Sequence, residues 1–483
     1  MSMAVVDVFA RVRARFPIKS SRHFSPQVLL AALTTLALGA CVGDARPDGA
    51  STGAGAGQSV ATGNGSTSIG SSGSSANDST GGSGSSSGGS SAHTASTFDL
   101  VTPAFFVSPS GSDSNNGTST GRAFLTLEKA QVAMRSSSTK TTYIMGGTYG
   151  LDSAIVLHAG DAGESWLAYP GEKPILDGKT STNYAFGIHT HNVTVRGLTI
   201  QSFATIGILA QYASDLTIDS NQIQDIYSDG WSQGAIVLGN SISNATVSHN
   251  NIYNINYGGV VAVNVVGDTL ANVLIENNSI ANTCLSVSDC GAIYADNRGH
   301  NASNIVIRNN VIKHYGTTSN QSKGIYLDDE ISNVSVTSNI ISGTGMFGLQ
   351  IHGGDHNVFR NNVFDITGAT QLAMYEYDGD TYPNYGMSGN EFSCNIVYSA
   401  AAPPYELWHT TLKEQDELPN VSGNIYWDTR TELPNIGVVD SAPIVRNPGF
   451  VNASQADYAF AGSPPSSCAF SAIDTSKVGP VIN

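Results

Sequence analysis

The sequence predicts an all-β solenoid of stacked strands, and three observations carry that reading. A phrase made of Asn, alternating apolar residues, an Asn turn and a β-branched pair returns about seven times between residues 191 and 395. Its copies begin at Asn192, Asp215, Asn244, Asn272, Asn304, Asn333 and Asn357, at intervals of 23 to 32 residues. A period of that length with two or three short strands per copy is one solenoid coil. Asn stands at the corners because it tolerates left-handed backbone, and amides at equivalent corners can hydrogen-bond from coil to coil.

The elements follow in chain order. Arg11, Arg13, Arg15, Lys19 and Arg22 precede an apolar run from Val28 to Leu38, too short to span a bilayer. That is the layout of an export signal over residues 1–40. The sequence Leu38-Gly39-Ala40-Cys41 resembles a lipobox, which implies that Cys41 is the diacylated first residue of an envelope lipoprotein. An ordinary signal peptide with a chance cysteine is the alternative. Residues 49 to 96 are almost entirely Gly, Ser, Ala, Thr and Asn, a composition that buries no core, so 41–97 reads as a flexible tether.

The folded domain is expected over 98–483. It opens near Phe105, and a helix at about Leu125 to Arg135, with Leu127, Ala130, Val132 and Met134, is expected to cover the first coil. Early coils run through Thr142-Tyr-Ile-Met and Pro174-Ile-Leu-Asp. The repeats give way to Asn424-Ile-Tyr-Trp, Asn447-Pro-Gly-Phe and a less regular C-terminal cap. With its Asn corners, this organisation resembles the right-handed parallel β-helix of pectate lyases and many polysaccharide-active enzymes.

Cysteine usage agrees with export. Of five cysteines, lipidation of Cys41 leaves four, and in an oxidising compartment Cys284 with Cys290 and Cys394 with Cys468 are plausible pairs among three connectivities. Without residues 1–40 the chain carries 17 basic against 37 acidic residues, a net charge of −20. Such a field excludes nucleic acid as a partner and disfavours a strongly anionic glycan; a neutral or metal-screened sugar fits better.

Each repeat contains a second strand. Placing Ile236/Leu238, Val261/Val263, Ile293/Ala295, Ile325/Leu327, Leu349/Ile351 and Leu372/Met374 inside gives an outer column of Gly239, Asn264, Asp296, Asp328, His352 and Tyr375. Beside it run Val237, Ala262, Tyr294, Tyr326, Gln350 and Ala373. Coils lie about 4.8 Å apart, so Asp296 and Asp328 become neighbours with His352 one coil further on. Stacked acids repel, and a solenoid gains nothing from them. Asp289, Asp329, Glu330, Asp355 and His356 add to the same concentration. A solvated acidic face or a structural Ca²⁺ site is the bland alternative to a glycan groove.

Ser288-Asp-Cys-Gly-Ala-Ile-Tyr294, Gly324-Ile-Tyr-Leu-Asp-Asp329 and Ile351-His-Gly-Gly-Asp-His-Asn357 occur in order, about one coil apart. Together they resemble the core of β-helix glycoside hydrolases similar to glycoside hydrolase family 141, whose members cleave fucosides or xylan. The resemblance implies a catalytic pair of Asp289 with Asp328, or with Asp329 in its place. It departs at Cys290, where Gly is usual. Tyr294, Asp296, Tyr326, His352, Asp355, His356, Asn264 and Tyr375 are the expected substrate-binding groups. The chemistry needs one protonated and one ionised carboxyl, and no cofactor. The rival readings are a polysaccharide lyase or uronate epimerase using Ca²⁺, and a non-catalytic glycan-binding or adhesin-like solenoid. The column itself holds no Lys or Arg; Arg298 and Lys323 lie at its edges. The expected partners are a poly- or oligosaccharide and, through the lipid, a membrane, with the protein a monomer.

Overall fold

The alternating apolar residues become two long parallel sheets wound around one interior. The computed structural model describes residues 100–481, apart from 229, 299–302, 318–320, 370, 377–385, 404, 413–416, 431, 467 and 469. The expectations for the leader, Cys41 and the Gly/Ser-rich tract lie outside the described residues. Among those described, 20 strands form one parallel sheet and 12 the other; Phe450–Asn452 and Asp457–Phe460 make a separate antiparallel pair. Register follows apolar matching: Ile208 pairs with Ile236, Ile236 with Val260, Val260 with Ile293, Ile293 with Ile325 and Ile325 with Leu349. These side chains are fully buried, each stabilising the fold by about 1.5–3 kcal/mol.

One corner is closed by stacked amides. Asn221, Asn250, Asn278, Asn310, Asn339, Asn362, Asn395 and Asn424 form a ladder in which each Nδ2 donates to the next Oδ1 at 3.0–3.2 Å. Each Nδ2 of this run also reaches a backbone carbonyl of the preceding coil, as Asn310 does to Ile275 at 2.9 Å. The residue before each turn adopts left-handed backbone, as at His249, Asn277, Asn309 and Asn361. Two short polar residues thus turn the chain and satisfy their own buried groups.

A second corner positions the acids. On the coils at Ile206–Asp219 and Gly234–Ser248, one strand rounds it unbroken. On the next three coils the strand stops at Val263, Asp296 and Asp328, and resumes at Leu270, Ile305 and Val334. The acidic residues therefore sit at strand ends where the corner is opened by inserted loops.

The helix Leu127–Arg135 covers the first coil with Leu127, Ala130 and Met134, while Val132 faces solvent. Thr126 caps it by accepting from the Lys129 N–H at 3.2 Å. At the other end the chain does more than close the last coil. Tyr458 and Phe470 pack on Ile340, Val363, Ile396 and Ile425, the outer face of the 12-stranded sheet. The tail then runs back along that face, the Gly479 N–H donating to the Asn277 carbonyl at 2.9 Å and that of Val481 to Ser220 Oγ at 3.3 Å. Cys394–Cys468 pins this extension, and Cys284–Cys290 closes the loop carrying Asp289; both expected pairs form.

Candidate active site

Two strands carry the centre of the site: Gly291–Asp296 and Lys323–Asp328, paired so that Tyr294 faces Tyr326 and Asp296 faces Asp328. No side chain fits at Gly291, where a Cβ would meet the Ile293 carbonyl at 2.7 Å and Tyr326 Cβ at 2.8 Å. The two tyrosine rings meet edge to face, 5.1 Å between centroids. The Tyr294 hydroxyl lies 2.8 Å from Asp328 Oδ2 and 3.4 Å from Asp296 Oδ2, so both carboxyl groups share it. The other oxygen of Asp328 is 2.7 Å from His352 Nδ1 and accepts from the Asp329 N–H at 2.9 Å.

The environments drive these two acids apart. Burial pushes the Asp296 carboxyl up to about 7, with the charges of Asp329 and Asp328 adding to it and Arg298 opposing. Its Oδ1 is buried without a hydrogen bond among the described residues. Burial acts on Asp328 in the same direction, but the hydrogen bond and charge of His352, with the Tyr294 hydroxyl and the Asp329 N–H, hold it below the ordinary range. His352 is raised in turn, chiefly by its bond to Asp328. Burial raises Tyr294 and Tyr326 well above the usual phenol range, reinforced by Asp328.

Cations line the edges. Lys323 is buried, its Nζ 2.7 Å from Asp289 Oδ1 and 4.1 Å from the centre of the Tyr326 ring. Burial lowers its pKa, against the pull of Asp289. Arg298 Nε donates to Asp329 Oδ2 at 2.6 Å, and its Nη2 lies 3.4 Å from Asp296 Oδ2. Burial raises Asp329, reinforced by Asp328 and opposed by Arg298. Glu330, beside it, is pushed up to about 7 by burial and by Asp329.

The structure brings together Asp289, Tyr294, Asp296, Tyr326, Asp328, Asp329 and His352, and corrects four other placements. Strand Gly258–Val263 is set one residue from the expected alternation: Val260 and Ala262 face inward, and Val263, not Asn264, occupies the column. Asn264 is buried beyond the strand end, its Nδ2 donating to the Asp268 carbonyl at 3.3 Å, although its backbone N–H does reach Asp296. On strand Gln371–Glu376, Ala373 and Tyr375 face inward. The fully buried Tyr375 hydroxyl shares its proton between the Met387 and Glu417 carbonyls at 2.9 and 2.8 Å and accepts from Asn390 Nδ2 at 3.0 Å, so it faces the interior and not the column. Glu376 takes its place beside His352. Asp355 and His356 pair with each other at 3.3 Å on the surface, and no contact among the described residues joins them to the two tyrosines.

Asp328, Asp329 and His352 offer ligand atoms within 4.8 Å of one another. Those atoms already have partners: His352 Nδ1 holds Asp328, and Arg298 holds Asp329. Ca²⁺ takes 6–8 oxygens, whereas this set supplies two carboxylates beside a guanidinium. The donor set does not fit that ion, and Arg298 supplies the positive charge instead.

Residues 184–396 match the family model described as the right handed beta helix region. No curated protein matches the chain in sequence. Among solved structures, the chain is similar to the GH136 lacto-N-biosidase from Eubacterium ramulus, at 11% identity and TM-score 0.50, over 71% of this chain and 67% of that one. The Azotobacter vinelandii mannuronan C-5 epimerase AlgE6 A-module matches at 14% identity and TM-score 0.47, over 66% of this chain and 92% of that one. Pectate lyase Pel9A matches at 12% identity and TM-score 0.47, over 76% and 90%. At 11% identity, what the chain shares with the lacto-N-biosidase is its fold. The described coils, their parallel register and the family match make this chain a right-handed parallel β-helix.

Proposed function

We propose that the protein is a glycan-active enzyme, a glycoside hydrolase with Asp296 as proton donor and Asp328 as its ionised partner. One observation carries the reading: two neighbouring acids share the Tyr294 hydroxyl, and their surroundings push the Asp296 carboxyl up, to about 7, while holding Asp328 below the ordinary range. Protonated Asp296 gives its proton to the glycosidic oxygen as the bond to the leaving sugar breaks. Asp328 attacks the anomeric carbon, and Asp296, now ionised, takes a proton from the water that releases the product. The two oxygens that share Tyr294 are no farther apart than their 2.8 and 3.4 Å contacts laid end to end. The two acids are paired on adjacent coils about 4.8 Å apart, nearer the roughly 5–5.5 Å of retaining enzymes than the roughly 6.5–9.5 Å that makes room for an attacking water, so retention is the expected outcome. Asp289, its side chain 40% exposed and held by Lys323, is the accessible carboxylate that binds sugar hydroxyls at the rim. The motif resemblance of residues 288–362 points to the same class.

The test is hydrolysis of neutral and uronic oligosaccharides by the full chain, with the product anomer followed by NMR. New reducing ends of retained configuration are expected, lost in both Asp296→Asn and Asp328→Asn. Activity that survives in both variants sinks the assignment. An unsaturated uronide product would replace it by a lyase, the reading that Lys323 and Arg298 favour. In the same proposal the enzyme is held on the cell envelope by a lipid on Cys41, a reading that the leader's layout supports; Cys41→Ser released from membranes is the expected result.

A further inference from the structure

Most aromatic side chains among the described residues are covered; Tyr212, Tyr227, Tyr405 and Trp231 stand exposed, and Trp231 is the largest and most exposed of them. Trp166 and Trp408 are buried and Trp427 is half-buried, whereas Trp231 is 71% exposed. It stands on the corner loop ahead of strand Gly234–Ser248, two coils before the loop that carries Asp289. That separation is about 10 Å along the solenoid axis.

Tyr257, on the coil between, ties the two loops together. Its hydroxyl lies near the Ser232 backbone N–H, which acts to lower its pKa, and reaches the Asp289 carbonyl at 3.5 Å on the other side. Its ring meets that of Tyr294 at 6.3 Å. Ser232 is held in left-handed backbone, and the Gly230 N–H donates to Gln233 Oε1 at 3.3 Å, so the turn presenting the indole is internally braced. The disulfide Cys284–Cys290 closes the facing loop and packs in the same cluster as Tyr257, Tyr294 and Tyr326. Trp231 and Asp289 are thus exposed on one rim with a shared support.

Resting on the hydrolase reading, we infer that Trp231 is the stacking platform for a sugar ring adjacent to the one cleaved, and that Tyr257 fixes this platform against the Asp289 loop. An exposed indole on a braced turn offers an apolar face of the size of a pyranose ring, with its N–H left for a hydroxyl. The ring it takes is uncharged. The outer column on the coils before Asp296 is Gln211, Gly239 and Val263, with no cation to meet a carboxylate, and Lys323 is committed to Asp289. The substrate class is therefore a neutral oligosaccharide long enough to bridge Trp231 and the acid pair.

The test compares Trp231→Ala, Trp231→Tyr and Tyr257→Phe in the full chain, using neutral oligosaccharides of increasing length and the matching aryl monoglycoside. For Trp231→Ala, KM for the longer substrates is expected to rise roughly tenfold more than KM for the aryl glycoside, with kcat changed far less. Trp231→Tyr is expected to restore most of the difference, and Tyr257→Phe to fall between. Independently of turnover, neutral oligosaccharide should shift wild-type tryptophan emission to the blue, and the shift should vanish in Trp231→Tyr. Hydrolysis with equal KM ratios and an unchanged emission response overturns the platform and leaves the hydrolase standing. An emission shift without turnover overturns the hydrolase and leaves the platform. Preference for uronic over neutral chains overturns the substrate class.

Discussion

Two corners of the same solenoid stack polar side chains coil upon coil, yet they solve opposite problems. In the Asn ladder every copy is both donor and acceptor, so a column of like residues satisfies itself: Asn310 accepts from Asn278 and donates to Asn339, each at 3.0 Å. Carboxylates have no proton to lend when ionised, so Asp296 above Asp328 cannot do the same. That column is completed from outside, by His352, Arg298 and Tyr294, and by a proton that burial keeps on Asp296. The ladder serves the fold; the raised Asp296 of the acid column works against it, and under the proposed function that column is kept for chemistry.

The sharpest way to break this contrast is to make the acid column resemble the ladder. Asp328→Asn is expected to lower glycosidase activity by roughly 10²–10⁴-fold or more, and Asp296→Asn by about as much on substrates with poor leaving groups. Asp296→Asn is not expected to lower the midpoint of urea unfolding at neutral pH, whereas Asp328→Asn gives up the ionised carboxyl that His352 holds and is expected to lower it modestly. A large loss of stability in either would mean that the acids hold the corner together.

The reverse change belongs in the ladder. Asn310→Ala strips the acceptor from the backbone N–H and Nδ2 of Asn278 and the donor from the Ile275 carbonyl, all buried. A loss of about 3 kcal/mol in urea unfolding is expected, with kcat unchanged where the variant is folded. Asn310→Asp is expected to be at least as damaging, since it brings a charge where only amides fit.

Acidity separates the corners further. Asp296 has a folded pKa of about 7 against an ordinary 3.8, so the folded state holds a proton that the unfolded chain has lost. Its contribution is therefore fully present below about pH 4 and falls away as pH rises toward 7. Asp328, depressed, has the opposite sign: its contribution is present above the ordinary carboxylate range and is lost as pH falls. Asp296→Asn should thus raise thermal stability at pH 7–8 relative to wild type and lose that advantage at pH 4. Glu164, buried beneath the N-terminal helix and raised to about 8, acts in the same direction and remains in the variant as a background slope. An Asp296→Asn advantage independent of pH would show that the carboxyl is not protonated by burial.

The ladder was legible from sequence because one residue type does one job at a fixed spacing, as in Asn250, Asn278 and Asn310. The acid column was half legible. Asp296, Asp328 and His352 fell in line because the aliphatic pairs Ile293/Ala295, Ile325/Leu327 and Leu349/Ile351 mark the inward face unambiguously. Alternation failed where both faces are apolar. Val260, Val261, Ala262 and Val263 give no sign of which side is in, and the outward Val261 is covered by Tyr257 and its neighbours. At the start of strand Gln371–Glu376, Leu372 and Ala373 both turn inward, so a count begun at Leu372 slips by one. That slip hid Glu376 and promoted Tyr375. From sequence Lys323 reads as an edge residue, because nothing local says that its Nζ lies over the Tyr326 ring.

The smallest expected effect sharpens what an Asn corner is for. A second row, Asn244, Asn272 and Asn304, also bonds from coil to coil, at 3.1 Å and 2.7 Å, but it is exposed. Water replaces those amide bonds at little cost, so the side chain there contributes a few tenths of a kcal/mol at most. The backbone is another matter, because Asn272 is left-handed at φ 56°. Asn272→Ala is expected to cost about 1 kcal/mol from that conformation alone, whereas Asn272→Gly, which accepts it, is expected to be close to neutral. Equal losses in both variants would mean that the exposed amides hold the coils together after all. A difference confined to Ala means that this row was selected for its turn, and the buried row for its bonds.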